Sequence, residues 1–389
     1  MKVPLFDLTR QYKALREEIM EGMEQVLASG RVILGPHGEA LEQSIARSVG
    51  ACYGIGVANG SDALLIAVAA LGIVPGDYVI TTPYTFFATA SCITRNGGIP
   101  FFVDIDPVTF NLDLDQVEQA LRDHPLRERI KGIIPVHLFG RVMDLDRLER
   151  LRKTHKIWII EDCAQSIGAI YSGKEGSSLP AGSMGDLSTF SFFPTKNLGG
   201  YGDGGMIVSS NSELEQFCRS YRAHGSSIRY IHERIGINSR LDELQAVALK
   251  IKWNHLPDYT LRRRSIAQRY TRAFAKSGMP IHTPIVPQDM SHIFHQYVIR
   301  LVDADRKDRD SLRAFLSKNG VGTSVYYPMG LHQQRCFQHL PLPITDLPHT
   351  EQACDQTIAL PIFPELTDEE VDYVVEQVRL GLKTSPSQR

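Results

Sequence analysis

The chain lacks most of what marks a secreted, membrane-bound or nucleic-acid-binding protein. Its cysteines (Cys52, Cys92, Cys163, Cys218, Cys336 and Cys354) show no CxxC spacing. That argues against a zinc site or a disulfide frame and suits reduced thiols in a cytoplasm. No apolar run is long enough to span a bilayer, and the opening MKVPLFDLTRQY has no apolar core of signal length. A formal net charge of −2 leaves no electrostatic footprint for nucleic acid or an anionic membrane as partner. The histidines are scattered. His292 and His295 in SHIFHQYVIR run into a strand-like segment rather than sharing a helical face, so no metal is expected. The basic run LRRRS at 261–265 reads as the solvated face of a helix.

What is present is enough apolar sequence, 43% of 389 residues, to bury a substantial core over two domains. Short apolar runs alternate with helical patterns through the first half. YGIGVAN, DYVITT, PFFVDID, IKGIIPVHLF and KIWIIED read as strands, with SDALLIAVAALG, TFFATASCITRNG, LDQVEQALRDH and LDRLERLRKTH as the intervening helices. This alternation predicts a mostly parallel sheet wrapped by helices, and the unbroken apolar run in WII fits a sheet covered on both faces. QYKALREEIMEGMEQVLASG is an amphipathic helix stopped by glycine. A long helical stretch from 239, notched near Leu256 and Pro257, reads as a connector. Beyond it QYVIRL, DRDSLRAFLSKNG, VGTSVYY and DEEVDYVVEQVRLGL predict strand, helix, strand and helix. The expectation is a large α/β domain over 1–255, a small α+β domain over 256–389, and a frayed KTSPSQR tail.

Four polar signals fall where strands end or helices begin, the edge at which open α/β sheets hold ligands. In ANGSDALL (58–65) glycine permits close backbone approach and the helix start favours an anion such as phosphate; a plain N-cap by Ser61 or Asp62 remains the alternative. Asp162 follows the strand WIIE. A carboxylate there is a structural aspartate or the partner of a buried cation, such as the protonated ring nitrogen of pyridoxal phosphate, with Gln165 near enough to reach the ring's phenolic oxygen. Lys196 sits between a hydrophobic strand and five glycines in STFSFFPTKNLGGYGDGG, either a solvated loop charge or a nucleophile with room for a ligand, and Ser191 lies five residues before it. GINSRLDELQA (236–246) places Asn238 and Arg240 ahead of a helix, as a turn with an N-cap would also do.

Taken together, NGSDAL, EDCAQSIGA, STFSFFPTKNLGGYGDGG and GINSRLDELQA resemble the DegT/StrS family of nucleotide-sugar aminotransferases, and the resemblance runs from VPLFDL through SGRVILGP to YYPMGLH. It implies the pyridoxal-phosphate-dependent transferase fold type I, aspartate-aminotransferase-like. It also implies pyridoxal 5'-phosphate as cofactor and a homodimer with shared sites. By the same resemblance Lys196 matches the Schiff-base lysine, Asp162 the partner of the pyridine nitrogen and Gln165 the group beside the ring oxygen. Gly60, Ser61 and Ser191 match phosphate-binding positions, and Phe86 in TPYTFFATA matches the aromatic that stacks on the ring. Asn238 matches a residue reaching the cofactor phosphate of the neighbouring subunit, and Arg240 and His332 match positions facing substrate.

The resemblance further implies glutamate as amino donor and a keto sugar linked to a nucleotide as acceptor. Members acting on 4-keto sugars usually read GEGG after the lysine. This chain reads KNLGGYGDGG, with YIHERIGINSRLD downstream, as the 3-keto branch does, and Arg229, Tyr230 and His232 become candidate substrate contacts. A 4-keto acceptor is the alternative within the class. A non-catalytic regulator that kept the fold is the alternative outside it.

Overall fold

A computed structural model describes residues 1–173, 178–286, 291–343 and 346–384; of the expected tail, residues 385–389 lie outside the described residues. The chain opens with helix α1 (Leu8–Ser29), started by the Asp7 side chain accepting from the Thr9 N–H and stopped by Gly30 in the left-handed region (φ 66°). Helix α2 (Pro36–Ser48) follows, with proline at its first turn. Strands and helices then alternate: β1 (Tyr53–Val57), α3 (Gly60–Ala70), β2 (Tyr78–Thr81), α4 (Ala88–Arg95), β3 (Ile99–Phe102), α5 (Leu114–Asp123), β4 (Ile130–Ile133), α6 (Leu145–His155) and β5 (Trp158–Asp162). A small hairpin of β6 (Ile170–Ser172) and β7 (Ser178–Pro180) leads to β8 (Leu187–Ser191) and β9 (Gly205–Ser209).

Seven of these strands form one sheet in the order β1-β9-β8-β5-β4-β2-β3. Strands β8, β5, β4, β2 and β3 run parallel, so their carboxyl ends share one edge. Strand β9 runs antiparallel to both β8 and β1, because the glycine-rich turn after Lys196 reverses the chain instead of crossing it over a helix. Apolar side chains cover both faces. Ile80, Phe101, Ile133, Ile159 and Phe190 pack in one core and Ile55, Val79, Ile134, Ile160 and Ile207 in the other.

After α7 (Ser212–Tyr221), a hairpin of β10 (Ser226–Ile228) and β11 (Ile231–His232) precedes α8 (Glu243–Ser277). The expected notch does not break this helix, which continues through Pro257. The boundary placed at 256 therefore falls inside α8: Leu256 packs in a core of the large sheet, while Ile266, Tyr270 and Phe274 pack in a further core. With α10 (Pro348–Gln356) packing elsewhere through Ala353 and Cys354, that core contains a three-stranded sheet of β12 (Ile281–His282), β13 (Tyr297–Leu301) and β14 (Thr357–Leu360), with α9 (Arg306–Lys318) and α11 (Asp368–Thr384). It also holds Val3, which bridges to Val321. The segment VGTSVYY forms isolated bridges at Val321 and Ser324 rather than the expected strand.

Nor is the run LRRRS wholly a solvated face: Leu261 and Ser265 are exposed, but the central arginine is not. Arg263 is only 2% exposed, and its Nη1 donates to the carbonyls of Phe294 and Ile362 at 3.0 Å. Arg262 donates to Leu366 O and Arg264 to His292 O. Charge alone predicted solvent; the open carbonyls of the segments packed on α8 drew the guanidinium inward instead. Arg263→Ala should therefore lower the free energy of urea unfolding by about 3 kcal/mol or more, through lost packing and unsatisfied carbonyls. Leu261→Ala on the exposed side of the same helix should cost well under half as much.

Candidate active site

The carboxyl ends of β5 and β8 and the amino end of α3 meet at a cavity of about 680 Å³. Gly60, Ser61, Phe86, Asp162, Gln165, Ser191 and Lys196, spread over 137 positions of the sequence, all line it. Glycine is needed where α3 meets β8: a Cβ on Gly60 would sit 2.7 Å from that of Ser191. The helix cap is Asn59, whose side chain accepts from the Asp62 N–H at 2.8 Å, rather than Ser61 or Asp62. The N–H groups of Gly60 and Ser61 have no acceptor among the described residues. With the Ser191 hydroxyl alongside, they form a cradle suited to a phosphate.

Asp162 ends β5 at 3% exposure. Its Oδ2 accepts from the Thr89 hydroxyl at 2.9 Å and its Oδ1 from the Ala164 N–H at 3.1 Å. Burial raises its proton affinity above the usual carboxylate range, opposed by those two donors and by the charge of Lys196. The same burial pushes the Lys196 amine down to about 8, with Asp162 opposing the shift. The amine is thus available in its neutral form near physiological pH. Gln165 is fixed at both ends of its amide, accepting from the Phe139 N–H at 2.6 Å and donating to Tyr327 Oη at 3.3 Å. Its second amide hydrogen remains for a ligand. Phe86 precedes α4 rather than lying within it, and is exposed at the cavity wall.

The turn carrying Lys196 is closed by the Gly200 N–H donating to Phe192 O at 2.8 Å. From α8, the fully buried Lys252 donates to Gly199 O at 2.7 Å and lies over the Tyr201 ring at 3.9 Å. From the far side Asn197 donates to Ile293 O, and its Oδ1 lies 3.2 Å from His295 Nδ1. Burial holds His292 and His295 neutral. Beneath the cavity floor His137, Glu161 and Cys163 stand close enough to share an ion. The Glu161 oxygens, however, already accept from His137 Nε2 and from the N–H groups of Gly182, Met184 and Gly185. That cluster pins β5 to the loop before β8.

Six expected site residues do not line this cavity. Arg229 and Tyr230 stack at 4.9 Å at the exposed tip between β10 and β11, and His232 Nδ1 pairs with His224 O at 2.9 Å on the same hairpin. Asn238 is exposed, its backbone bridged to Ala223. Arg240 is partly buried with its Nε unpartnered among the described residues, and His332 lies 3.5 Å from Glu351. Conversely Asn59, Thr89, Asp203, His295, Gln296, Tyr326 and Tyr327 line the cavity without having been anticipated. His295, Gln296 and the two tyrosines arrive from about 100 or more residues beyond Lys196, so no local spacing announces them.

Only the neutral Lys196 amine acylates. Its labelling by acetic anhydride, followed peptide by peptide, should therefore rise through a midpoint near 8, against about 10.4 for ordinary exposed lysines. Asp162→Asn, which removes the opposing charge, should move that midpoint lower still.

The sequence and the fold have counterparts among known proteins. A pleiotropic regulatory protein of Geobacillus stearothermophilus is 48% identical over 97% of this chain and 98% of its own. A UDP-N-acetyl-3-dehydro-alpha-D-glucosamine 3-aminotransferase of Acidithiobacillus ferrooxidans is 39% identical over 98% of each chain. The crystal structure of NtdA from Bacillus subtilis with bound cofactor PMP superimposes with a TM-score of 0.87 at 32% identity, covering 98% of this chain and 86% of that one. Residues 13–379 match the model of one family throughout, and the chain belongs to it: the DegT/DnrJ/EryC1/StrS aminotransferase family.

Proposed function

We propose that this protein is a pyridoxal-phosphate-dependent aminotransferase that moves an amino group from glutamate to the C3 keto group of a nucleotide-linked sugar. The convergence of Lys196 and Asp162 on one cavity, beside the N-terminus of α3, carries the reading. The residues fit the cofactor. Gly60, Ser61 and Ser191 would hold its phosphate, Phe86 one face of its ring, Gln165 its phenolic oxygen and Asp162 its ring nitrogen. Bound there, pyridoxal phosphate supplies an electron-accepting ring and a carbon that exchanges amines.

The protein's own part is proton handling and orientation. Lys196 Nζ, neutral above about pH 8, would take the α-proton of the amino donor and give a proton back before that half-reaction ends. In the second half it does the reverse on the sugar. Asp162 keeps the ring nitrogen's proton in place, and its burial keeps water from competing for it. The C3 assignment is supported by the substrate named for the Acidithiobacillus relative and by the KNLGGYGDGG segment. Turnover of a panel of keto nucleotide sugars with glutamate should favour 3-keto over 4-keto acceptors by about ten-fold or more. The name of the Geobacillus relative favours a second, regulatory reading. Glutamate added to protein loaded with pyridoxal phosphate decides between them, because a non-catalytic regulator would leave the cofactor absorbance unchanged.

We also propose a homodimer, on an argument from charge. The cavity-lining residues include three carboxylates, Asp62, Asp162 and Asp203, and one amine, Lys196, whereas phosphate, nucleotide and glutamate are all anions. Positive charge lies instead on Arg229 and Arg234, on or beside the β10–β11 hairpin, where Tyr230 is 80% and Ile235 95% exposed. Apolar side chains gathered in this way are what a protein–protein contact would cover. A second copy would bury it and present Arg229, His232 and Asn238 to the first copy's cavity. Lys196→Ala and Arg229→Ala proteins, each impaired alone, should regain about a quarter of wild-type activity after mixed refolding, because half the dimers then carry one intact site. No recovery would remove the shared site.

A further inference from the structure

Behind the Asp162 carboxylate lies a pair of hydroxyls with no place in the mechanism above. Thr89, in the first turn of α4, is fully buried and donates to Asp162 Oδ2 at 2.9 Å. Its Oγ1 is 3.1 Å from that of Thr85, itself 2% exposed. Hydrogen counting fixes the direction. An ionised Asp162 brings no proton, so the single Thr89 proton must point at Oδ2, and the proton shared by the two threonines must be Thr85's. Each hydroxyl polarises the next in a buried setting. The other titratable groups facing Asp162 are Lys196, His137, Cys92, Cys163 and Tyr327. Among the described residues none of them hydrogen-bonds to this carboxylate, whereas Thr89 does.

We propose that Thr89, oriented by Thr85, is a positioning residue that sets where the proton rests between Asp162 and the ring nitrogen of the bound cofactor. With Oδ2 occupied by a hydroxyl donor, the carboxylate is the poorer base and the ring nitrogen keeps the proton. This rests on the reading of the site as one for pyridoxal phosphate.

The test is the ¹⁵N chemical shift of ring-labelled pyridoxal phosphate bound to wild type, Thr89→Val, Thr89→Ser and Thr85→Val. Thr89→Val keeps the side-chain shape and removes one donor to a charged group. It should shift the proton distribution toward Asp162 by about ten-fold or more, moving the resonance toward that of neutral pyridine. Thr89→Ser should restore the wild-type shift, and Thr85→Val should move it the same way but less. A Thr89→Val resonance identical to wild type overturns the proposal, as does a serine variant displaced as far as the valine. Wild-type protein that takes up no pyridoxal phosphate overturns the underlying reading, and this proposal with it.

Discussion

One buried carboxylate organises the site. Asp162 ends a strand whose Ile159 and Ile160 sit in apolar cores, and a charge in that position is costly unless it is hydrogen-bonded or paired. Thr89, Ala164 and the charge of Lys196 supply part of the compensation. The remaining acceptor capacity of the carboxylate faces the cavity. Low polarity that raises the proton affinity of the acid lowers that of the amine beside it. One environment thus prepares an anchor for a cationic ring and a base for a carbon acid.

Such a pair is useful only if it is held still. The lysine turn is clamped from three directions, by its own backbone closure at Phe192 and Gly200, by Lys252 from α8, and by the segment carrying Ile293 and His295. The glycines around it give room where backbones meet: Gly205 against Asn59 and Gly60 against Ser191 leave no space for a Cβ. The flexibility that composition suggests for five glycines is therefore, in the folded chain, a tightly packed junction.

Helix α8 links this junction to the rest. Its first half packs on the large sheet and its second half on the core around β13 and β14, while Arg263 ties it to the strand approaches on either side. Through that arrangement His295, Gln296, Tyr326 and Tyr327 reach the cavity. The hairpin at 226–232 carries Ile228, Tyr230 and Ile231 exposed on the surface of the chain, with Ile235 beside it.

The amino-acid sequence by itself determined the alternation of strands and helices, since apolar periodicity, glycine stops and asparagine or aspartate caps act over a few residues. It also singled out Gly60, Ser61, Asp162, Gln165, Ser191 and Lys196, because a strand's carboxyl end is a local event and each of these falls at or near one. Only the tertiary structure decided that Arg263 within LRRRS turns inward, that α8 passes through Pro257, and that VGTSVYY makes bridges without becoming a strand. These outcomes depend on which carbonyls, packing partners and strand edges happen to lie opposite. The Thr89 contact with Asp162 and the arrival of His295 and Tyr327 belong to the same class. They join residues 73 or more positions apart, and side-chain hydrogen bonds at that separation leave no periodic trace in the chain.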